Sequence, residues 1–369
     1  MIKIPMAKPY VGLEEANAVH KKILEGWLSM GQTVLDFEKE FAKMVGAKYA
    51  VATNNGTTAL HIALIASGIK DGDEVLVPDI TFASTAKVVL YERATPILLP
   101  CDSKTFNLSI EHLEKFITPK TKAIILVDMN GMPVDYDKIQ SIAEKHNLFV
   151  IADSAESMGS EYKYKKIGAI APMHVFSFFP NKNITTGEGG IITTNNEKLY
   201  EQLKELRNMG QDYRYHHTSL GFNYRMTEIA AAIGLEQLKK FDFIMASKQK
   251  IVETYNKQLK GVDGINLPFI PGYVTQHAWY MYTITFKSNI DRDYVAKKLL
   301  DDYGIETRMS FPPIHSQPFF KKKYSKVSHL ILNNKVIWGS LLNLPIWVGL
   351  TVEDQAYITD AIKNIIKDF

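Results

Sequence analysis

A single cysteine in 369 residues, Cys101, excludes an internal disulfide, and no Cys or His set at ligand spacing accompanies it. Neither an oxidised secreted scaffold nor a zinc site follows, and Cys101 reads as a small core residue. Long apolar runs are also missing. No stretch approaches the roughly 18 uncharged residues that span a bilayer, and the opening MIKIPMAKPYVGLEEANAVHKK lacks the continuous apolar segment of a signal peptide. A cytoplasmic protein without a membrane partner is expected. The formal charge is only +3, with both signs interspersed and no long basic block, so nucleic acid is not an expected partner. Internal repeats and low-complexity tracts are absent as well.

What is present is an ordinary globular composition, 46% hydrophobic and 22% charged, which leaves no room for extensive disorder. The length suits a large α/β domain with a smaller companion. Short β-branched runs alternate with helical periodicity before residue 200, the pattern of βα units and a mostly parallel sheet. Seven strands are expected: Tyr49–Thr53, Glu74–Pro78, Pro96–Pro100, Lys122–Val127, Leu148–Asp153, Met173–Phe178 and Gly190–Thr194. Helices are expected at Gly56–Ser67, at Val134–His146 and over a long stretch from Thr227 to Lys260. The texture then changes to strand Tyr280–Phe286, helix Arg292–Tyr303, strand Gly304–Phe311 and helix Val352–Lys367, an α+β pattern. The expected division is a large α/β domain at 1–240 and a small C-terminal α+β domain at 241–369.

Ligands of open α/β sheets collect at the carboxyl ends of strands, and three segments lie there. The first, Thr53-Asn54-Asn55-Gly56-Thr57-Thr58, turns from a strand into a helix whose free amides and dipole can hold a phosphate, although the same residues serve ordinary capping. In the second, an apolar strand ends at Asp153. A buried acid there needs a partner, and a protonated ring nitrogen is one, although the same residue could cap a helix or form a salt bridge. The third, Phe176 to Gly190, carries Lys182 among hydroxyls and ahead of a glycine cluster. Desolvation would lower its pKa and make it a nucleophile toward aldehydes, whereas most lysines are solvated surface charges.

All three occur in the order phosphate cup, acid, lysine. The runs VATNNGTTALHIAL, DEVLVPDITFAST, DSAESMGS, SFFPNKNITTGEGGIITT, LGFNYRMTEIAAAIGLEQL and GIETRMSFPPIH resemble the DegT-type sugar aminotransferase family over nearly the whole chain. The resemblance implies a fold type I enzyme dependent on pyridoxal 5'-phosphate (PLP), with a seven-stranded mostly parallel sheet. Lys182 would hold the cofactor as a Schiff base and move protons afterwards, and Asp153 would pair with the ring nitrogen. Gly56, Thr57 and Ser177 would bind the phosphate, and Phe82 would stack on the ring. Glu156, at a position commonly Gln, would lie near the ring hydroxyl, as in perosamine-synthase-like members. Asn223 of the GxNxR motif would cross to the neighbouring subunit's phosphate with Arg225 beside it as a substrate-binding residue, which implies a homodimer with a shared site. Arg308 and His315 match the substrate-facing end of the small domain. No metal is implied.

The family often shows His-Leu-Tyr-Gly after the fourth strand, a segment that lines the sugar pocket, whereas this chain has Asp128-Met129-Asn130-Gly131. Members that dehydrate sugars place histidine at the Schiff-base position, so Lys182 implies transamination, with glutamate as donor and ping-pong kinetics. The implied acceptor is a nucleotide-linked 4-keto-6-deoxy sugar, GDP-linked by preference. A 3-keto nucleotide sugar, a keto cyclitol, a keto sugar acid, or a PLP-binding regulator without turnover are the alternatives.

Overall fold

The computed structural model describes residues 3–323 and 328–369. Its main sheet contains β1 (Tyr49–Thr53), β2 (Glu74–Pro78), β3 (Thr95–Leu99), β4 (Thr121–Val127), β5 (Phe149–Asp153), β6 (Met173–Ser177) and β7 (Gly190–Thr194). All seven expected strands are there, with ends displaced by no more than one residue. Their spatial order is β1-β7-β6-β5-β4-β2-β3, and β7 alone runs antiparallel to its neighbours. Alternate side chains enter different layers, as the period of a strand requires. Ile124 and Leu126 of β4 join Phe37, Phe41 and Phe176 on one face, while Ala123 and Ile125 join Leu60, Ile62 and Val75 on the other. Two covered faces are why these strands read as apolar throughout.

The outer edge of β1 is closed by charge. Glu38 accepts from the Ala52 N–H at 2.7 Å, and Arg207 donates to the Ala52 carbonyl at 2.9 Å while also bonding to Glu38. Peptide groups that lack a strand partner are thereby satisfied inside the protein.

A second sheet contains β8 (Ile265–Asn266), β9 (Tyr282–Phe286) and β10 (Leu341–Leu344), antiparallel in that order. Helices Arg292–Tyr303 and Val352–Ile365 supply Val295, Leu299, Ile358 and Ile362 to its core of Tyr282, Ile284, Leu342 and Leu344. The expected strand Gly304–Phe311 is not formed. Glu306 donates to the Ile4 carbonyl at 2.9 Å, whereas Arg308 exchanges bonds with Asn343 at 3.2 and 2.8 Å. Divided between two partners and followed by Pro312 and Pro313, which lack an N–H, the segment builds no ladder. The neighbour of β9 is β10 instead.

One helix, Glu228–Leu259, begins at Thr227, whose hydroxyl accepts from the Ala230 N–H. Phe241, Ile244 and Met245 pack in the core of the large sheet, and Ile251, Val252, Tyr255 and Leu259 pack in the core of the small one. The expected division at 240/241 thus lies inside a continuous helix.

Phe178, fully buried just before the Lys182 loop, meets Phe37 and Phe41 edge-on at 5.2 and 5.4 Å. Phe178→Ala is expected to cost about 3–5 kcal/mol, read as a lower denaturation midpoint at unchanged m-value in cofactor-free protein.

Candidate active site

Because β1, β5 and β6 point the same way, Thr53, Asp153 and Ser177 emerge on one edge of the sheet, and β7 returns between two of them. Gly190 at its start pairs with both Thr53 and Ser177. A Cβ on Gly190 would lie 2.4 Å from the Asn55 carbonyl oxygen, and one on Gly56 would lie 3.0 Å from the Ser177 Cβ. Only glycine permits this approach at residue 190. Asn55 caps helix Gly56–Ala66 by accepting from the Thr58 N–H at 2.9 Å. The amides of Gly56 and Thr57, ahead of the first intrahelical bond, have no acceptor among the described residues. Gly56 and Ser177 therefore lie in contact, and with Thr57 they are the candidate phosphate cup.

Beside the cup lies a cluster of buried charge. The Nζ of Lys182 is 3.5 Å from Glu156 Oε1 and 4.1 Å from the ring centroid of Tyr280. Glu156 is held from behind by the Asn130 N–H at 2.7 Å. Asn130 has φ 58°, a left-handed conformation that turns this amide toward the carboxylate. Asp153 accepts from Thr85 Oγ1 at 3.0 Å and from the Ala155 N–H at 3.3 Å. Burial pushes the Asp153 carboxyl up to about 6, against those two hydrogen bonds and the charge of Lys182. The sequence led to a lowered pKa for Lys182, and the structure corrects this. Burial does disfavour its ammonium, but Tyr280, Glu156 and Asp153 outweigh burial and hold the pKa above the ordinary lysine value.

The remaining expected residues are distributed around this centre. Phe82 exposes over half its surface and tilts against Phe311 at 5.5 Å. The stretch around Asn223 and Arg225 runs beside the cup of its own chain, with Arg225 bridged to Thr53 and the Tyr224 carbonyl accepting from the Asn54 N–H at 2.9 Å. The Asn223 side chain is exposed and accepts from Arg225 Nε at 3.1 Å. Arg308 is near enough to Tyr280 to favour its ionised form. His315 is buried against Asp79, which receives its Nδ1 at 2.7 Å and its backbone N–H at 2.9 Å, so no hydrogen bond joins it to Lys182.

Several contributors escaped the sequence reading. Thr85 lies within the quoted DITFAST run and Asn130 within the departing Asp128–Gly131 segment, while Tyr280 comes from a distant position with no local signature. Asp128, at the departure from the family pattern, turns into the protein. It accepts from Tyr136 and Ser157 hydroxyls at 2.8 Å, the Val134 N–H at 3.0 Å and the Ser154 hydroxyl at 3.1 Å. Burial still raises it to about 6. Behind Ser154, His174 accepts at Nε2 from the Ile170 and Ala171 N–H groups, which leaves the proton on Nδ1, 2.9 Å from the Ser154 hydroxyl. This network anchors the loop that carries Glu156.

A sheet of this order, with a lysine on the loop between its sixth and seventh strands, is that of the fold type I transferases that use PLP. The chain belongs to the DegT/DnrJ/EryC1/StrS aminotransferase family, whose profile matches residues 9–363. It is 41% identical to GDP-perosamine synthase of Caulobacter vibrioides, across 99% of this chain and 98% of that protein. Among solved structures it is similar to Helicobacter pylori PseC, an aminotransferase involved in the biosynthesis of pseudoaminic acid, with TM-score 0.92, 27% identity and coverage of 99% and 100%. The PLP form of a Streptococcus pneumoniae protein assigned as a sugar aminotransferase matches with TM-score 0.92, 25% identity and 99% coverage of both chains. The protein is thus a PLP-dependent sugar aminotransferase.

The residues in place fit that cofactor. Two free amides with a hydroxyl suit a phosphate, and a buried carboxyl whose pKa stays raised despite the charge of Lys182 would be offset by the cation of a protonated ring nitrogen. Asn181 Oδ1 is buried without a hydrogen-bond partner. Because Asp153 has a folded pKa above its unfolded value, its contribution to stability is full below pH 3.8 and is lost as pH rises through about 6. Cofactor-free Asp153→Asn should therefore gain on the parent by up to about 3 kcal/mol between pH 4 and 7, as measured by chemical denaturation at each pH.

Proposed function

We propose that this enzyme moves an amino group from glutamate to a nucleotide-linked 4-keto-6-deoxy sugar, GDP-linked by preference, in the manner of a GDP-perosamine synthase. The observation that carries the reading is Lys182 set against Glu156. A lysine at the covalent position favours amino transfer over dehydration, and a glutamate at position 156 is the variant of perosamine-synthase-like relatives. Similarity along the full chain to the Caulobacter vibrioides enzyme supports it.

When bound, PLP supplies an electron sink conjugated to the carbon that carries the amine. Lys182 is the residue to hold it through Nζ, with Gly56, Thr57 and Ser177 on the phosphate, Asp153 at the ring nitrogen, Phe82 on the ring face and Glu156 at the ring hydroxyl. The ammonium of Lys182 must first give up a proton, and Glu156 at 3.5 Å is the acceptor within reach. Nζ would also be the group that carries protons on and off the substrate carbon. Arg308 and His315 contact the sugar or its nucleotide, and Asp79 holds His315 for that task.

The exposed Asn223 completes the phosphate site of a second copy, with Arg225 beside it on the substrate, so the working form is a homodimer, and it is placed in the cytoplasm. The Asp128-Met129-Asn130-Gly131 segment, which departs from the family pattern, supports a second substrate reading: a 3-keto nucleotide sugar, a keto cyclitol or a keto sugar acid.

Lys182→Ala should abolish glutamate-dependent amination and the visible absorption of bound PLP while preserving the circular dichroism spectrum; normal turnover would refute the assignment. Across a panel of keto sugar nucleotides, GDP-linked 4-keto-6-deoxy sugars should give the highest kcat/KM. Mixed dimers of Lys182→Ala and Asn223→Ala chains should regain activity that neither parent has, by assembling one intact site, and the absence of any gain counts against sharing.

A further inference from the structure

Helix Glu228–Leu259 buries a lysine, Lys248, which is 5% exposed. Its Nζ donates to Asn183 Oδ1 at 2.7 Å and to the Trp279 carbonyl at 3.2 Å, and no carboxylate pairs with it among the described residues. A buried ammonium without an anion is costly, and an apolar side chain would fill the same space more cheaply. Burial first, and then the charge of Lys182, push its pKa down to about 7.

Both of its partners are chain neighbours of active-site residues. Asn183 follows Lys182, and Trp279 precedes Tyr280, the ring on which the Lys182 ammonium rests. The Asn183 amide is otherwise committed, donating to the Ala278 carbonyl at 2.8 Å and the Met158 carbonyl at 3.2 Å. Trp279 adopts φ 47°, a conformation that non-glycine residues rarely hold without compensation, and its carbonyl meets the Lys248 ammonium. The titratable groups facing Lys248 are few. The loop after β6 offers Lys182, and the stretch before β9 offers Tyr280 and His277, the latter kept neutral by burial that lowers its pKa to about 3. Asp153, at the end of β5, and Glu156, on the loop after it, act on Lys182 itself. On the helix, Ser247 and Gln249 are uncharged and Lys250 is exposed.

We propose that Lys248 is a positioning residue for Lys182: its Nζ ties down the backbone on both sides of the Lys182–Tyr280 contact and so holds the reactive amine in place beside Glu156. This rests on the reading of Lys182 as the cofactor lysine. Burial and the Lys182 charge make Lys248 the first of the two to give up its proton, and a neutral amine still donates to both oxygens.

The test is a pH titration of the visible absorption of bound PLP in the holoenzyme, for the parent, Lys248→Met and Lys248→Gln. Met removes both charge and tether, whereas Gln keeps a donor for Asn183 without the charge. Lys248→Met should shift the apparent pKa by about one unit, a tenfold change in proton affinity, and Lys248→Gln by less. Lys248→Met should also release PLP faster than Lys248→Gln. Folded variants whose titration and PLP retention match the parent overturn the proposal, and Lys248→Gln decides alone should the Met variant fail to fold. A parent that shows no such band, and no label on Lys182 after borohydride reduction, overturns the Lys182 assignment and this proposal with it. A normal parent titration beside unshifted variants overturns this proposal alone.

Discussion

The close approach at Gly190 is the constraint from which the site follows. Its α-carbon lies where any side chain would enter the Asn55 peptide, and only there can β7 pair with the last residues of β1 and β6 at once. That pairing draws the cup and the Lys182 loop together, although they lie more than a hundred residues apart in the chain. The two glycines that follow Glu188 matter for geometry before they matter for flexibility. Gly189 likewise leaves no space, since a Cβ would fall 2.3 Å from Thr186 Oγ1.

Around this frame the protein sets charges in opposition. Glu156 and Asp153 favour a proton on Lys182, while burial opposes it. Burial also keeps Asp153 short of full ionisation at mildly acid pH. Such a cluster is expensive by the standards of a stable core, and the expense is concentrated at the carboxyl edge of the sheet. The Asp128 network beneath it is the structural counterpart. Four donors converge on one carboxyl group and fix the loop that presents Glu156, so the part that must hold still is hydrogen-bonded to saturation.

Much of this was legible because the sheet is buried on both faces. Strands such as Ala123 to Val127 and Val150 to Ala152 must be apolar at every position, and the residues that break the pattern, Asp153 and the Lys182 loop, stand out as chemistry. Turn residues and caps such as Asn55 and Thr227 marked the helix starts for the same local reason. The segment Gly304–Phe311 had β-like composition, but its fate depended on Ile4 and Asn343, which no local pattern reveals. The Lys182 pKa went the other way because it reports the sum of groups from three separate loops. Tyr280, Thr85 and Lys248 were hidden for a related reason. An aromatic, a hydroxyl and a lysine are common residues, and only their placement distinguishes them.

The helix Glu228–Leu259 measures about 48 Å at 1.5 Å per residue and contributes side chains to two cores. A rod shared in this way leaves no soft joint between the bodies that it joins. Partial melting of the C-terminal sheet would strip the far end of the rod of its apolar cover, and fraying would travel toward Met245 and Phe241. The two halves should therefore behave as one thermodynamic unit, and mechanical disturbance at the distal end is felt at the catalytic edge.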